Sequence, residues 1–341
     1  MKTGSGFIAN VQPLGTGLLI VAIIALAARF ISDHYGAPAM LMALLFGIAL
    51  NFLSEQEKSK PGIAFASKTV LRIGVALLGL RISADMALSL GWETLILVIS
   101  VVLVTILFGM GVARFFGFGP RFGFISAGSV AICGASAAMA IAAILPKDGR
   151  SEERLVFTVV GVTILSTVAM IAYPILADQL AFGPEVAGVF LGATIHDVAQ
   201  VVGAGFSVSD RTGEVATIIK LIRVAMLAPV IIVAAYIVRQ VAQSDSDSSE
   251  RPPLVPVFVA AFFVLLGLNS TGLVPQLVND VATEASRWAL LSAIAAVGIK
   301  TSIKDVLDVG GNAIALLVTQ TLFIAFLAII SILALKHYGI F

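Results

Sequence analysis

A chain of 341 residues in which 59% are hydrophobic and 12% charged, with a mean hydropathy of +1.06, has too little polar side chain to cover a soluble domain of its size. An ordinary soluble fold is excluded, and an all-α polytopic membrane protein is predicted. The formal charge of +1, with basic residues scattered over short loops, leaves no footprint for nucleic acid.

In chain order, Met1–Pro13 carries one lysine and no small-residue cleavage site, which argues against a removable signal peptide. At a rise of about 1.5 Å per residue, roughly 20 residues cross the hydrocarbon. On that criterion about eleven segments are predicted, near 13–33, 37–54, 61–83, 92–116, 121–146, 154–179, 183–206, 213–240, 253–270, 286–303 and 310–336. The Ser-Asp run and paired prolines of Val241–Pro253 predict a flexible surface loop, and no separate soluble domain is expected.

The third and eighth segments repeat a basic pair inside apolar sequence, Lys68 with Arg72 and Lys220 with Arg223. The second and seventh also correspond. Each opens on Gly-Pro-type punctuation and reaches a glycine followed four residues later by a polar group, Gly47 to Asn51 and Gly192 to His196. An offset of five helices inverts the second copy in the membrane, the signature of many secondary transporters. The organisation expected is a leading segment over 1–36 and two inverted repeats over 37–180 and 181–341.

In that scheme the fifth and tenth segments are partners. Ser126–Ser136 and Ala295–Ser302 are both rich in small residues, and a broken helix is expected in each, opposed by the reading of tightly packed unbroken helices. The orientation is nearly silent with eleven crossings. If segments 121–146 and 183–206 re-enter instead, the basic cluster Lys147–Arg154 changes side and the bias sharpens.

Ser129-Val-Ala-Ile-Cys-Gly-Ala-Ser136, the run from Gly192 through His-Asp-Val-Ala-Gln to Gly205, and Lys220-Leu-Ile-Arg-Val-Ala-Met-Leu-Ala-Pro229 resemble signatures of the YeiH-type sulfate exporter family of bacterial inner-membrane proteins. Members often carry Glu where this chain has Asp197. The family is similar to the sodium/proton antiporter and bile-acid symporter fold, which implies inverted five-helix repeats with crossed broken helices. The resemblance implies a bacterial inner-membrane transporter, with sulfate or a sulfonate as substrate.

An ionised residue inside a span is costly and is a functional candidate by default. Arg72 and Arg223 are the expected anion ligands, since a planar guanidinium suits an oxyanion; Ser129, Ser136, Asn51 and Lys300 would frame the same site. Against this, the basic side chains would snorkel to the headgroups, a reading strongest for Lys68 and Lys220. His196, Asp197 and Gln200 share a helix face and are the expected coupling group for protons or sodium; the alternative is a satisfied packing cluster.

The single cysteine, Cys133, permits no intramolecular disulfide. Three histidines, of which only His196 lies deep in a span, support no metal or haem site, and no phosphate loop is present. No cofactor and no enzymatic activity are predicted. The reading is an anion exporter embedded in lipid, with a homodimer left open; a cation/proton antiporter and a passive anion channel are the alternatives.

Overall fold

The computed structural model describes residues 14–35, 37–81, 90–146, 150–241, 257–301 and 311–337. Met1–Pro13, Ser302 and nearly all of the Val241–Pro253 linker lie outside them. The described residues form helices α1 (Gly15–Tyr35), α2 (Ala39–Ala49), α3 (Lys60–Phe65), α4 (Leu71–Leu78), α5 (Gly91–Val112), α6 (Pro120–Ala131) and α7 (Ala135–Ile144). They continue with α8 (Ser151–Gln179), α9 (Pro184–Thr194), α10 (Val198–Val208), α11 (Asp210–Ala225), α12 (Leu227–Val241), α13 (Val257–Ser270), α14 (Gln276–Lys300) and α15 (Gly311–His337). Six stretches are long and apolar enough to cross a membrane: Gly15–Tyr35, Lys60–Leu78, Gly91–Phe116, Arg154–Gln179, Asp210–Val238 and Gly311–His337. Shorter apolar helices, α2, α7, α10 and α13 among them, pack between these.

The expected crossings at 121–146 and 183–206 are instead hairpins. α6 and α7 lie side by side, so close that a Cβ built on Gly128 would stand 2.2 Å from Ile141 Cδ1. Arg121 and Ile125 at the entry of α6 line one pocket with Leu145 and Pro146 beyond α7 and with Ser151 and Arg154 of α8. Entry and exit therefore share one face of the protein, here called the first face. The second hairpin obeys the same logic. Gly188 and Gly192 of α9 meet Val215 and Ala216 in ascending order along α11, whereas Gly205 of α10 meets Gly213, so α9 runs with α11 and α10 against it. Thr212 Oγ1 donates to Pro184 O at 3.0 Å, and Arg211 pairs with Glu185, bringing both ends of this hairpin to the opposite, second face. α8 connects the two.

The break expected in the tenth segment does not fall within Ala295–Lys300, and Ser302 lies outside the described residues. α14 runs unbroken to Lys300, and the second break falls at Ile195–Asp197 in the seventh segment. Hydropathy registers how much apolar chain is present, not whether it turns back.

Glycine contacts sort the helices into two packed bodies. Cβ atoms built on Gly17, Gly47, Gly62, Gly74, Gly79 or Gly298 would fall within 3.0 Å of atoms in α1–α4, α13 or α14 or the turns between them. Those on Gly109, Gly123, Gly128, Gly161, Gly188, Gly192 and Gly205 would do so against α5–α9, α11 or α15 or the turns between them. The first set makes a body of α1–α4, α13 and α14; the second unites both hairpins with α5, α8, α11 and α15.

This topology predicts a labelling pattern. In a Cys133→Ala background, Gly119→Cys and Pro146→Cys should react with an impermeant maleimide from one side, and Gly183→Cys and Val208→Cys from the other. Eleven crossings would require each pair to split.

Candidate functional site

The two hairpins enter from opposite faces and their tips meet in the interior. The first tip is Ile132-Cys133-Gly134, where Gly134 has φ +64 and ψ −129, a conformation open to glycine and strained for other residues. The second is Ile195-His196-Asp197, with Ile195 and Asp197 extended. Breaking a helix inside a membrane frees main-chain carbonyls at the C-terminal end of its first half, and each needs a donor.

Lys220 and Arg223 of α11 supply those donors. Lys220 Nζ reaches Ile132 O at 2.7 Å, Ile195 O at 2.9 Å and His196 O at 2.5 Å. Arg223 Nε reaches Ala131 O at 2.9 Å, Nη1 reaches Gly192 O at 2.8 Å and Ile195 O at 2.9 Å, and Nη2 reaches Val130 O at 2.9 Å. Seven bonds thus tie six carbonyls of both tips to two adjacent turns of one helix. Both side chains are fully buried, so Lys220 does not snorkel. The negative ends of α6 and α9 point at these cations, a favourable dipole arrangement. α11 comes close enough because glycines face it: a Cβ on Gly192 would lie 2.6 Å from Ala216 O.

His196 is fully buried, its Nδ1 3.1 Å from Val130 O and its Nε2 2.9 Å from Thr321 Oγ1. A carbonyl can only accept, so Nδ1 carries the proton, and the ring pins the second tip to the first and to α15. Asp197 is partly exposed; its main-chain N–H donates to Ser166 Oγ at 3.0 Å, and its Oδ1 accepts from Ala199 N at 3.1 Å, capping α10. Gln200 Nε2 lies 3.5 Å from Thr167 Oγ1, and its buried Oε1 has no partner. Behind the first hairpin, Gln320 Nε2 donates to Ser126 Oγ at 3.0 Å.

The remaining candidates separate. Arg72 is exposed, with its guanidinium 6.0 Å from the Phe258 ring centroid, and does not join the fully buried Arg223. A π-turn at Ala66–Val70 precedes it, adding a residue to the helical repeat in the stretch that carries Lys68. Ser129 is buried and donates to Ile125 O of its own helix at 2.6 Å, whereas Ser136, one turn beyond the tip, is exposed. Asn51 Nδ2 donates to Ile299 O at 2.7 Å, joining α2 to α14 rather than facing the tips. Lys300 is exposed, and its charge acts on both Lys68 and Asp197. Ser166, Thr167, Gln320 and Thr321 were missed from sequence, although an adjacent Gln-Thr pair inside an apolar 27-residue helix is a readable polar signal.

The family described as Conserved hypothetical protein 698 matches residues 16–335. A UPF0324 membrane protein of Rhizobium meliloti is 56% identical over 95% of this chain and 94% of its own length. The UPF0324 membrane protein TauZ of Paracoccus pantotrophus is 58% identical over 91% and 92%, and a UPF0324 membrane protein of Chlorobaculum tepidum is 50% identical over 93% and 88%. No solved structure matches the chain.

Proposed function

From a chain that belongs to the UPF0324 membrane protein family, the YeiH-type family its motifs resemble, and whose midpoint is built on two buried cations, we propose a secondary transporter for a small oxyanion. It is a multi-pass membrane protein. The observation that carries the transport reading is the meeting of two oppositely directed hairpin tips on Lys220 and Arg223. Irregular backbone at membrane depth is tolerated where it is buried in protein or lines a path, and such tips are typical of transporter substrate sites. Among the described residues no carboxylate forms an ion pair with either side chain, so the two basic groups outnumber Asp197, the carboxylate at the tips. That sign favours an anion over the cation of an antiporter.

Lys220 and Arg223 hold the tips and supply the field, their hydrogen bonds being committed to carbonyls. The anion itself is met by exposed groups: Ser136, one turn beyond the first tip, with Lys68 and Lys300. Sulfate or a sulfonate is the substrate class the family resemblance implies. Two hairpins entering from opposite faces, joined by α8, also suit an inverted-repeat architecture in which nine segments cross and two re-enter. The first face then gathers Lys58, Lys60, Arg114, Arg121, Arg150, Arg154 and Lys300 against Arg29, Arg81, Arg211, Arg287 and Lys336 on the second, an excess that favours the first face as the cytoplasmic one. A negative-inside potential of about 100 mV drives a dianion outward by roughly 4.6 kcal/mol, so export needs no further energy source.

Proteoliposome counterflow of radiolabelled sulfate tests the reading. Saturable exchange is expected, with the half-saturating concentration raised tenfold or more in Lys68→Gln or Lys300→Gln; unsaturable conductance would make it a channel, and exchange of cations only an antiporter. Asp197 is the partly exposed titratable group at the tips and the proposed coupling site, with His196 and Gln200 holding its surroundings. Asp197→Asn keeps an oxygen to cap Ala199 N but removes the titration, so the flux profile from about pH 5 to 8 should flatten while anion affinity persists. An unchanged profile would exclude Asp197 from coupling.

A further inference from the structure

At the second face the boundary between the two packed bodies is bridged by charge. Arg81, just past α4, places Nε 2.6 Å from Glu214 Oε1 and Nη2 3.1 Å from Asp210 Oδ2, both on the first turns of α11. Its guanidinium also stands 5.6 Å from the Phe206 ring centroid on α10. Arg287 of α14 joins the same carboxylate, with Nη2 3.0 Å from Asp210 Oδ2, while its Nη1 is 3.0 Å from Glu284 Oε1. Arg81 and Arg287 belong to the body of α1–α4, α13 and α14; Asp210, Glu214 and Phe206 belong to the hairpin body. The lattice therefore joins one body to the other.

Arg81 and Glu214 are shielded, at 13% and 14% exposed, while Asp210 and Arg287 are 59% and 41% exposed, so the Arg81–Glu214 contact is stronger than a free surface pair and the cluster remains within reach of water. Packing beneath it differs from the packing inside either body. Where α10 faces α14, a Cβ on Gly203 would lie 3.3 Å from Ile294 Cδ1, a tight approach but to the end of a flexible side chain, whereas Gly47 against α14 and Gly192 against α11 would each meet a carbonyl oxygen at 2.6 Å or less. Interlocked glycines cannot part without losing packed contacts along whole helices, but an ion pair can exchange its partner for water. Away from this face, Lys68, Lys300 and Ser136 are exposed, and Asp197 partly so.

We propose that Arg81, Asp210, Glu214 and Arg287 form a gate which closes the second face between the two bodies and parts when that face opens. The proposal rests on the alternating-access reading and names the closed side. Its test needs no flux measurement, so its failure is separable from failure of that reading. Ile294 is fully buried under the lattice, two turns along α14 from Arg287. In a Cys133→Ser background, Ile294→Cys in vesicles of known orientation should react slowly with an impermeant maleimide applied to the second face. Arg81→Gln should accelerate labelling from that face tenfold or more, and the charge reversal Arg81→Glu with Glu214→Arg should restore protection. High salt should also accelerate labelling in the Ile294→Cys protein with its gate intact, which tests the gate with no gate residue changed. A rate unmoved by both Arg81→Gln and salt, or raised equally from both faces, overturns the gate.

Discussion

Arg223→Ala should leave little folded protein, because four N–H groups that hold Val130, Ala131, Gly192 and Ile195 vanish together from a site without water access. Hydrogen bonds to a charged group contribute about 1.5–3 kcal/mol each, and removing one partner from a buried charged network typically costs about 3–5 kcal/mol in total. Lys220→Met should act in the same direction, freeing Ile132 O and His196 O. Arg223→Lys should recover only part, since an ammonium has three donors on a compact head and cannot span the carbonyls that the guanidinium fork reaches. Arg72→Ala is the contrast: its exposed side chain predicts a change within about 0.5 kcal/mol. Thermal unfolding of detergent-purified protein reads all four. If Arg223 were instead a substrate ligand, Arg223→Ala would fold normally and lose only anion affinity.

The basic pairs show where sequence reasoning succeeds and where it stops. Both were legible as anomalies, because a charge inside apolar sequence has a cost at either position. Their environments were not. Lys68 and Arg72 face outward, while Lys220 and Arg223 are sealed inside, and the difference lies in what packs against each helix. Gly188, Gly192, Gly205 and Gly213 admit the broken segment against α11, which brings its carbonyls to the cations. Spacing within a single segment contains no information about that neighbour.

The helices themselves were placed closely by hydropathy. The expected 92–116, 154–179 and 310–336 correspond to Gly91–Phe116, Ser151–Gln179 and Gly311–His337. The two hairpins escaped because a run near 25 apolar residues has the same mean hydropathy whether it crosses or folds back at its middle. The discriminating residues were present. Gly134 at positive φ and the polar His196-Asp197 step each fall near the centre of their segment, where a continuous span would gain nothing from them. Cys133 and Ser129, by contrast, are buried within or beside the first tip, Ser129 donating to Ile125 O.

Gly298→Ala should be among the most damaging conservative changes outside the tips. α2 and α14 cross where Gly47 and Gly298 touch; a Cβ on Gly298 would meet Leu44 O at 2.4 Å, and one on Gly47 would meet Ala295 O at 2.4 Å. Both obstacles are backbone, so no side chain can rotate away. The helices would have to separate by about 1 Å, and over-packing of this kind costs about 1–3 kcal/mol, occasionally more. Separation would also stretch the Asn51 Nδ2 to Ile299 O bond, now 2.7 Å. Gly47→Ala should cost about as much, and the double variant less than the sum, because one displacement relieves both clashes. Gly267→Ala in α13 supplies the control: nothing lies within 4 Å of its Cβ position, so alanine should be neutral or gain up to about 1 kcal/mol of helix propensity. Equal melting temperatures for Gly298→Ala and Gly267→Ala would mean that α2 and α14 do not cross in contact.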